Sequence, residues 1–285
     1  MTDTPARPAA SKVAERSVES TSFLARPEIH SEWESAYLNP GLNALYDAIF
    51  ARIHAAMVGQ PEPVLLDAGC GYCHHSLRLA RLGARITGLD FSPAALGAAE
   101  GILAQAGAQD RITLRQGSIL DLPFPDRSFD NVLCFGVLMH IPDLETALTQ
   151  LCRVVAPGGR LIIGENSCAS FDCRRFEPAL RRVKQLLGRR VPERRKTRYG
   201  IEEWTAADAG GLMVRKTDFG AFTAFCQSQG LRLVDHFGGQ FTETHAHARL
   251  PWLVRRIQRF NERRFARQGD ISGFHGQILV FERPA

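Results

Sequence analysis

No apolar run in the 285 residues approaches the roughly 20 needed to cross a bilayer, which excludes an ordinary membrane-spanning helix. Residues 1 to 20 carry Asp3, Glu15 and Glu19 and lack an apolar block, so they read as a disordered lead-in rich in Pro, Ala and Ser rather than a secretory signal. The cysteines lack a disulfide framework: there are seven, an odd count, and they are scattered. Reduced thiols in a cytoplasm are expected. Cys70-Gly71-Tyr72-Cys73-His74 spells C-x-x-C-H, a haem-attachment pattern, but that chemistry needs export and the residues have another use as a strand–turn–helix junction. Cys168 with Cys173 is a poor second pair for zinc, so no metal site is expected.

What is present is a globular composition, 45% hydrophobic, with a net charge of +5 whose distribution matters more than its size. The organising stretch is Val64-Leu65-Leu66-Asp67-Ala68-Gly69-Cys70-Gly71. A short apolar run reads as a buried strand, two glycines break it, and Leu77, Leu79, Ala80 and Leu82 start a helical pattern. A strand that turns through glycine into a helix presents backbone and a helix N-terminus to a ligand. A third glycine, expected at Cys73 or His74 depending on the ligand class, is missing.

Along the chain, residues 21 to 60 read as cap helices, Glu32 to Leu38 and then Leu42 to Met57. Arg85 to Asp90 is a second strand ending in an acid, and Ser92-Pro93 is the start of a capped helix. Arg111 to Arg115, Phe129 to Phe135 and Leu161 to Glu165 are further strands, with a helix from Asp143 to Val155 stopped by Pro157-Gly158-Gly159. Alternating strands and helices predict a parallel sheet.

Leu66-Asp67-Ala68-Gly69-Cys70-Gly71, Gly88-Leu89-Asp90, Leu122-Pro123-Phe124, Ser128-Phe129-Asp130, His140-Ile141 and Arg153 to Gly159 resemble, in this order, the class I S-adenosyl-L-methionine (SAM)-dependent methyltransferases. Within them the resemblance is to the small-molecule group that includes the ubiquinone and menaquinone C-methyltransferases, and it covers Val64 to Glu165. It implies an α/β fold: a Rossmann-like, doubly wound, seven-stranded, mostly parallel sheet with an antiparallel last strand. It also implies SAM as cofactor. Gly69, Cys70 and Gly71 would let the backbone meet the methionine part, while Asp67 would orient that loop and reach toward the amino group. Asp90 would hold the ribose, with Phe91 beside the adenine. Ser118 and Ile119 would flank the adenine, Phe135 would line the methionine side, and Trp33 or Tyr37 would close over the cofactor. Two departures stand out: Cys73 replaces the third glycine, and Ser118 stands where an aspartate often accepts the adenine amino group.

Methyl transfer from a sulfonium is an in-line displacement that depends mainly on alignment, and it needs a base only when the acceptor carries a proton. His140, after the fourth strand, is the candidate base, with Glu165 as the second. His245 and His247 lie beyond the sixth strand, at positions the sequence does not fix.

Residues 166 to 216 form a long insert read as a helical lid over the acceptor, dense in Arg and Lys. Phe176, Leu180, Val183 and Leu187 recur in it at helical spacing. A strand from Leu231 to Phe237 and one from Gln277 to Glu282 complete the sheet. Between them Pro251 opens a helix with a Leu253, Ile257 and Phe260 stripe among arginines. The expected activity is methylation, at oxygen first, of a small or lipid-linked acceptor, with peripheral contact to an anionic membrane surface. RNA is the alternative partner and DNA is not expected. An RNA methyltransferase and a non-catalytic SAM-binding protein remain open beside it. Neither an Asn-Pro-Pro-Tyr signature nor a Pro-Cys pair supports base methylation.

Overall fold

A computed structural model describes residues 40–205, 212–248 and 250–285. The lead-in at 1 to 20, the helix expected from Glu32 to Leu38, and the contacts assigned to Trp33 and Tyr37 lie outside the described residues.

The first element is α1 (Pro40–Ala56), followed by β1 (Val64–Ala68), α2 (His74–Arg81), β2 (Arg85–Asp90), α3 (Pro93–Ala106), β3 (Ile112–Gln116) and β4 (Phe129–Phe135). A 3-10 turn (Leu138–His140), α4 (Leu144–Val154) and β5 (Val155–Asn166) complete the first half. These strands pair in parallel in the order β3-β2-β1-β4-β5. The chain leaves the β3 edge and returns on the other side of β1. That reversal opens a crevice at the carboxyl ends of β1 and β4, where ligands of such sheets bind.

The strands are nearly continuous apolar runs because helices cover both faces. Neighbouring residues part to opposite sides. Leu66, Val132, Leu161 and Ile163 join the core under α4 and α6 (Phe219–Ser228). Leu65, Leu133 and Ile162 join the core under α1, α2 and α3. Ser92 caps α3 as expected, its hydroxyl accepting the Ala95 N–H at 3.2 Å. The sheet is completed by β9 (Arg232–Gly238) and the last strand β10 (Gly276–Glu282), which lies antiparallel between β5 and β9. The seven-stranded sheet with an antiparallel last strand is therefore as the sequence implied.

The insert is different from the helical lid expected. It holds a π-helical turn (Asp172–Phe176), α5 (Glu177–Leu186) and a three-stranded antiparallel sheet, β6 (Glu193–Thr197), β7 (Gly200–Trp204) and β8 (Met213–Thr217). No residue of α5 is buried, and Val183 and Leu187 of the supposed packing stripe are exposed. The helical spacing is real, but among the described residues only Phe176 and Leu180 of that stripe are partly buried. The sheet escaped notice because its strands are strongly charged. Arg194 pairs with Glu203, Arg215 with Glu202, and Lys216 with Glu177. The last helix, α7 (Pro251–Arg267), departs similarly: Phe260 is exposed, while Gln258 and Asn261 are buried.

Asn131 shows how the crevice is fixed from below. Wholly buried on β4, it accepts the Val58 N–H and donates to the Val58 and Val64 carbonyls, each at 3.0 Å. It thus ties the end of α1 to the start of β1. Asn131→Leu strands one donor and leaves two carbonyls short of a partner, so a loss of about 3 kcal/mol is expected by urea denaturation. A loss under about 1 kcal/mol contradicts this account.

Candidate active site

The glycine turn after β1 opens onto a cavity of about 760 Å³ that runs from the carboxyl ends of β1, β2 and β4 to the lid sheet. Gly69, Cys70, Gly71, Asp90, Phe91, Ser118, Ile119, Phe135 and His140 all line it. Asp67 is not on that wall. It is buried behind the turn, where its carboxylate accepts the Ser76 hydroxyl of α2. Burial raises its pKa to about 6, opposed by the Ser76 hydroxyl and assisted by Asp90. The expected reach of Asp67 toward a ligand amino group is therefore corrected: it braces the turn from inside.

The amides of the turn are engaged rather than bare. Gly69 and Cys70 N–H both donate to the Leu89 carbonyl at 2.7 and 3.0 Å, and Gly71 N–H donates to Asp90 Oδ2 at 2.9 Å. What glycine supplies here is space and dihedral freedom. Gly69 has φ +87, and a Cβ on it would stand 2.5 Å from Val137 Cγ2. Gly71 has φ +51, with nothing within 4 Å of where a Cβ would point. Cys73, at the place of the missing third glycine, keeps the left-handed conformation with φ 62 and buries its side chain in the core. The Cys73 thiol beside it, together with burial, keeps the Cys70 thiol protonated.

Asp90 accepts two main-chain donors, Gly71 N–H through Oδ2 and Ser92 N–H through Oδ1, each at 2.9 Å. Asp90 thus pins its own loop while standing on the cavity wall. Ser118 accepts the Leu120 N–H with its hydroxyl at 3.1 Å. That bond closes a local turn and leaves a neutral acceptor where an aspartate is often found. Phe135 sits among Phe50, His75 and Tyr46 and leans over Gly164, where a Cβ would collide with its ring. The pieces fit an adenosyl ligand: a carboxylate at the end of β2, a Cβ-free turn after β1, and apolar Phe91 and Ile119 on the same cavity wall.

At the far end, His140 is buried and its Nδ1 stands 2.8 Å from the Met213 carbonyl of β8. A carbonyl can only accept, so Nδ1 carries the proton and the lone pair lies on Nε2. Burial, opposed by that carbonyl and assisted by the Arg215 cation, lowers the imidazole to about 4. Glu165, at the end of β5, accepts the Leu138 N–H at 2.8 Å with one oxygen, while the buried Oε2 has no partner. Burial raises it to about 8, against the pull of Leu138 N–H and Arg215. His245 is buried against Gln240 and does not line the cavity. The side chain of His247 lies outside the described residues.

Several lining residues had no sequence signal. Tyr46 of α1 reaches the cavity, as do Lys216 of β8, Glu243 and His275. His275 Nε2 lies 3.1 Å from Glu243, and Lys216 lies 3.0 Å from Glu177. Burial would raise Glu243, but His275 and Lys216 outweigh it and bring the carboxyl to about 2. They come from distant parts of the chain: β8 runs beside the end of β5 through the Ser167–Thr217 bridge, while Glu243 and His275 lie in the segment between β9 and β10.

A methyltransferase-domain family model matches residues 66–163. Demethylmenaquinone methyltransferase of Tropheryma whipplei (strain Twist) is 31% identical over 184 residues, 62% of this chain and 75% of that one. The 27-O-demethylrifamycin SV methyltransferase of Amycolatopsis mediterranei (strain S699) is 32% identical over 139 residues, 48% of this chain and 50% of that one. The chain spans about half the length of several relatives, 42%, 58% and 50% in three of them. Among solved structures, the 1,6-didemethyltoxoflavin-N1-methyltransferase of Burkholderia thailandensis, with 1,6-didemethyltoxoflavin and S-adenosylhomocysteine bound, shares the fold. Its TM-score is 0.57 at 16% identity, covering 100% of this chain and 94% of that one. The chain belongs to the class I SAM-dependent small-molecule methyltransferases.

Two outcomes are expected from this geometry. Asp90→Ala removes a carboxylate from the cavity wall and unpins Gly71, so SAM affinity should fall by at least about tenfold in titration calorimetry. Glu165 titrates near 8 when folded and near 4.5 when unfolded, so its contribution to stability is complete below pH 4.5 and is lost as pH rises through 8. Glu165→Gln should flatten that decline, read as a melting temperature that changes less than wild type between about pH 4.5 and 8.

Proposed function

We propose that this protein transfers a methyl group from SAM to a hydroxyl of an apolar small molecule or lipid-linked acceptor, with His140 as general base. The observation that carries the reading is the tautomer of His140. The Met213 carbonyl accepts from Nδ1 and so fixes one tautomer of an imidazole that lines the cavity shared with the glycine turn.

When bound, SAM supplies a methyl already activated by sulfonium. The protein's part is alignment, desolvation and proton removal. Asp90, with the turn at Gly69 to Gly71, fixes the adenosyl end. Phe135, Ile141, Leu212 and Val214 give the acceptor region an apolar wall, which suits a hydrophobic ring or chain. The acceptor oxygen would bond to the methyl carbon as the methyl–sulfur bond breaks with its electron pair left on sulfur, and the hydroxyl proton would pass to His140 Nε2. The relatives point the same way in part: one is named for O-methylation of a rifamycin and another for a menaquinone precursor. The matched family segment ends at residue 163, before the lid that walls the acceptor, so acceptor choice belongs to this chain's own insert.

His140→Ala is expected to lower kcat by about 100-fold or more while SAM affinity stays within about twofold. Because His140 is held neutral down to about pH 4, kcat/KM should stay flat from pH 8 to 5 instead of halving near 6.5, where free histidine titrates. Full turnover by His140→Ala, or a product methylated on carbon, would refute the assignment.

A further inference from the structure

The structure carries a second surface that methyl transfer does not use. The outer face of α7 presents Trp252, Arg255, Arg256, Arg259, Phe260 and Arg263. Trp252 is 55% exposed and Phe260 44%, and Leu250 just before the helix is also exposed. Among the described residues no carboxylate pairs with these four arginines. The inner face carries Phe265, which packs on the core, together with two buried amides: Gln258 packs against Gly41 of α1, and Asn261 accepts the Thr242 N–H at 3.0 Å. The tryptophan, Phe260 and arginines are left outward, an unusual content for a face that meets only water.

The helix of the lid does the same. α5 buries nothing, and Val183, Leu186 and Leu187 stand in solvent, Leu186 being 87% exposed, between Arg182 and the Arg189-Arg190 pair. A chain of ring contacts, one stacked and one edge-on, runs from the segment before the π turn to α7. Phe171, itself half exposed just before the π turn, lies 6.3 Å from Phe241, which lies 5.4 Å from Phe260 of α7. Leu180 and Lys184 of α5 also wall a side cavity of about 220 Å³ that shares Lys216, Glu243 and His275 with the main one.

We propose that α7 and α5 form a docking face for an anionic lipid bilayer. Arginines meet lipid phosphates, Trp252 and Phe260 sit at the headgroup level, and Leu186 and Leu187 enter the acyl boundary. Charge and apolarity are complementary to that partner together. RNA would use the arginines and the rings, but it offers nothing to exposed leucine and valine side chains. No helix among the described residues is long and apolar enough to cross a membrane, so the contact is peripheral. Vesicle binding requires no acceptor and no SAM, so it stands or falls separately from the catalytic reading.

The test is co-sedimentation of the full chain with extruded phosphatidylcholine vesicles, with and without phosphatidylglycerol. Binding is expected with the anionic vesicles only and is weakened by added salt. The triple variant Arg255→Gln, Arg259→Gln, Arg263→Gln should reduce partitioning on the order of 100-fold, at several-fold per charge. A second variant, Trp252→Ser with Leu186→Ser, should lower binding while leaving the melting temperature unchanged, because both side chains face solvent. Wild-type protein that stays in the supernatant with anionic vesicles overturns the proposal. So does equal binding by the triple variant, or retention of bulk RNA on a filter without any vesicle binding.

Discussion

The working half of this molecule depends on one buried cation. Arg215, 2% exposed on β8, donates to the Leu138 carbonyl at 2.9 Å, to Ile141 at 3.0 Å and to Pro142 at 3.4 Å, and it pairs with Glu202 at 3.1 Å. Its charge is thus met by one carboxylate and three carbonyls, the condition under which a guanidinium tolerates burial. The carbonyls belong to the turn that carries His140. Two residues earlier on the same strand, Met213 accepts from the imidazole itself. The lid sheet and the end of β4 are therefore held in register by a single strand, and the cavity exists between them.

The opposite end is held by the same logic with a different group. Asp90 joins β2 to the glycine turn through Gly71 and to the start of α3 through Ser92. The Leu89 carbonyl next to it takes the Gly69 and Cys70 amides. The turn is thereby fixed before any ligand arrives, and a fixed binding corner lowers the ordering cost of binding. Asp67 and Ser76 add a brace from the interior.

Much of this was legible in the sequence because it rests on local chemistry. The runs Val64 to Leu66 and Phe129 to Phe135, the acid at the end of β2, the Ser92-Pro93 cap and the Pro157-Gly158-Gly159 stop each report a strand, a turn or a helix end by periodicity or dihedral need. The corner residues Gly69, Gly71 and Asp90 follow from those elements. Asp67 braces the turn from inside through Ser76, whereas the side of a turn toward which a carboxylate points is not written in the sequence. The lid sheet was missed for an energetic reason. Its strands are held by ion pairs such as Arg194–Glu203 and Lys216–Glu177, and such pairs leave no alternating apolar pattern to read. His275, Glu243 and Lys216 were invisible for the related reason that they meet only through long-range folding.

The position of Met213 has a consequence for how such proteins diversify. The strand that walls the far end of the cavity also sets the tautomer of the imidazole there. Exchanging this insert for another would alter selectivity and reactivity in one stroke, because the replacement must present a carbonyl at the same height. Recombined lids that keep the nucleotide half intact should therefore often bind cofactor normally and yet be inert, until that one main-chain acceptor is restored.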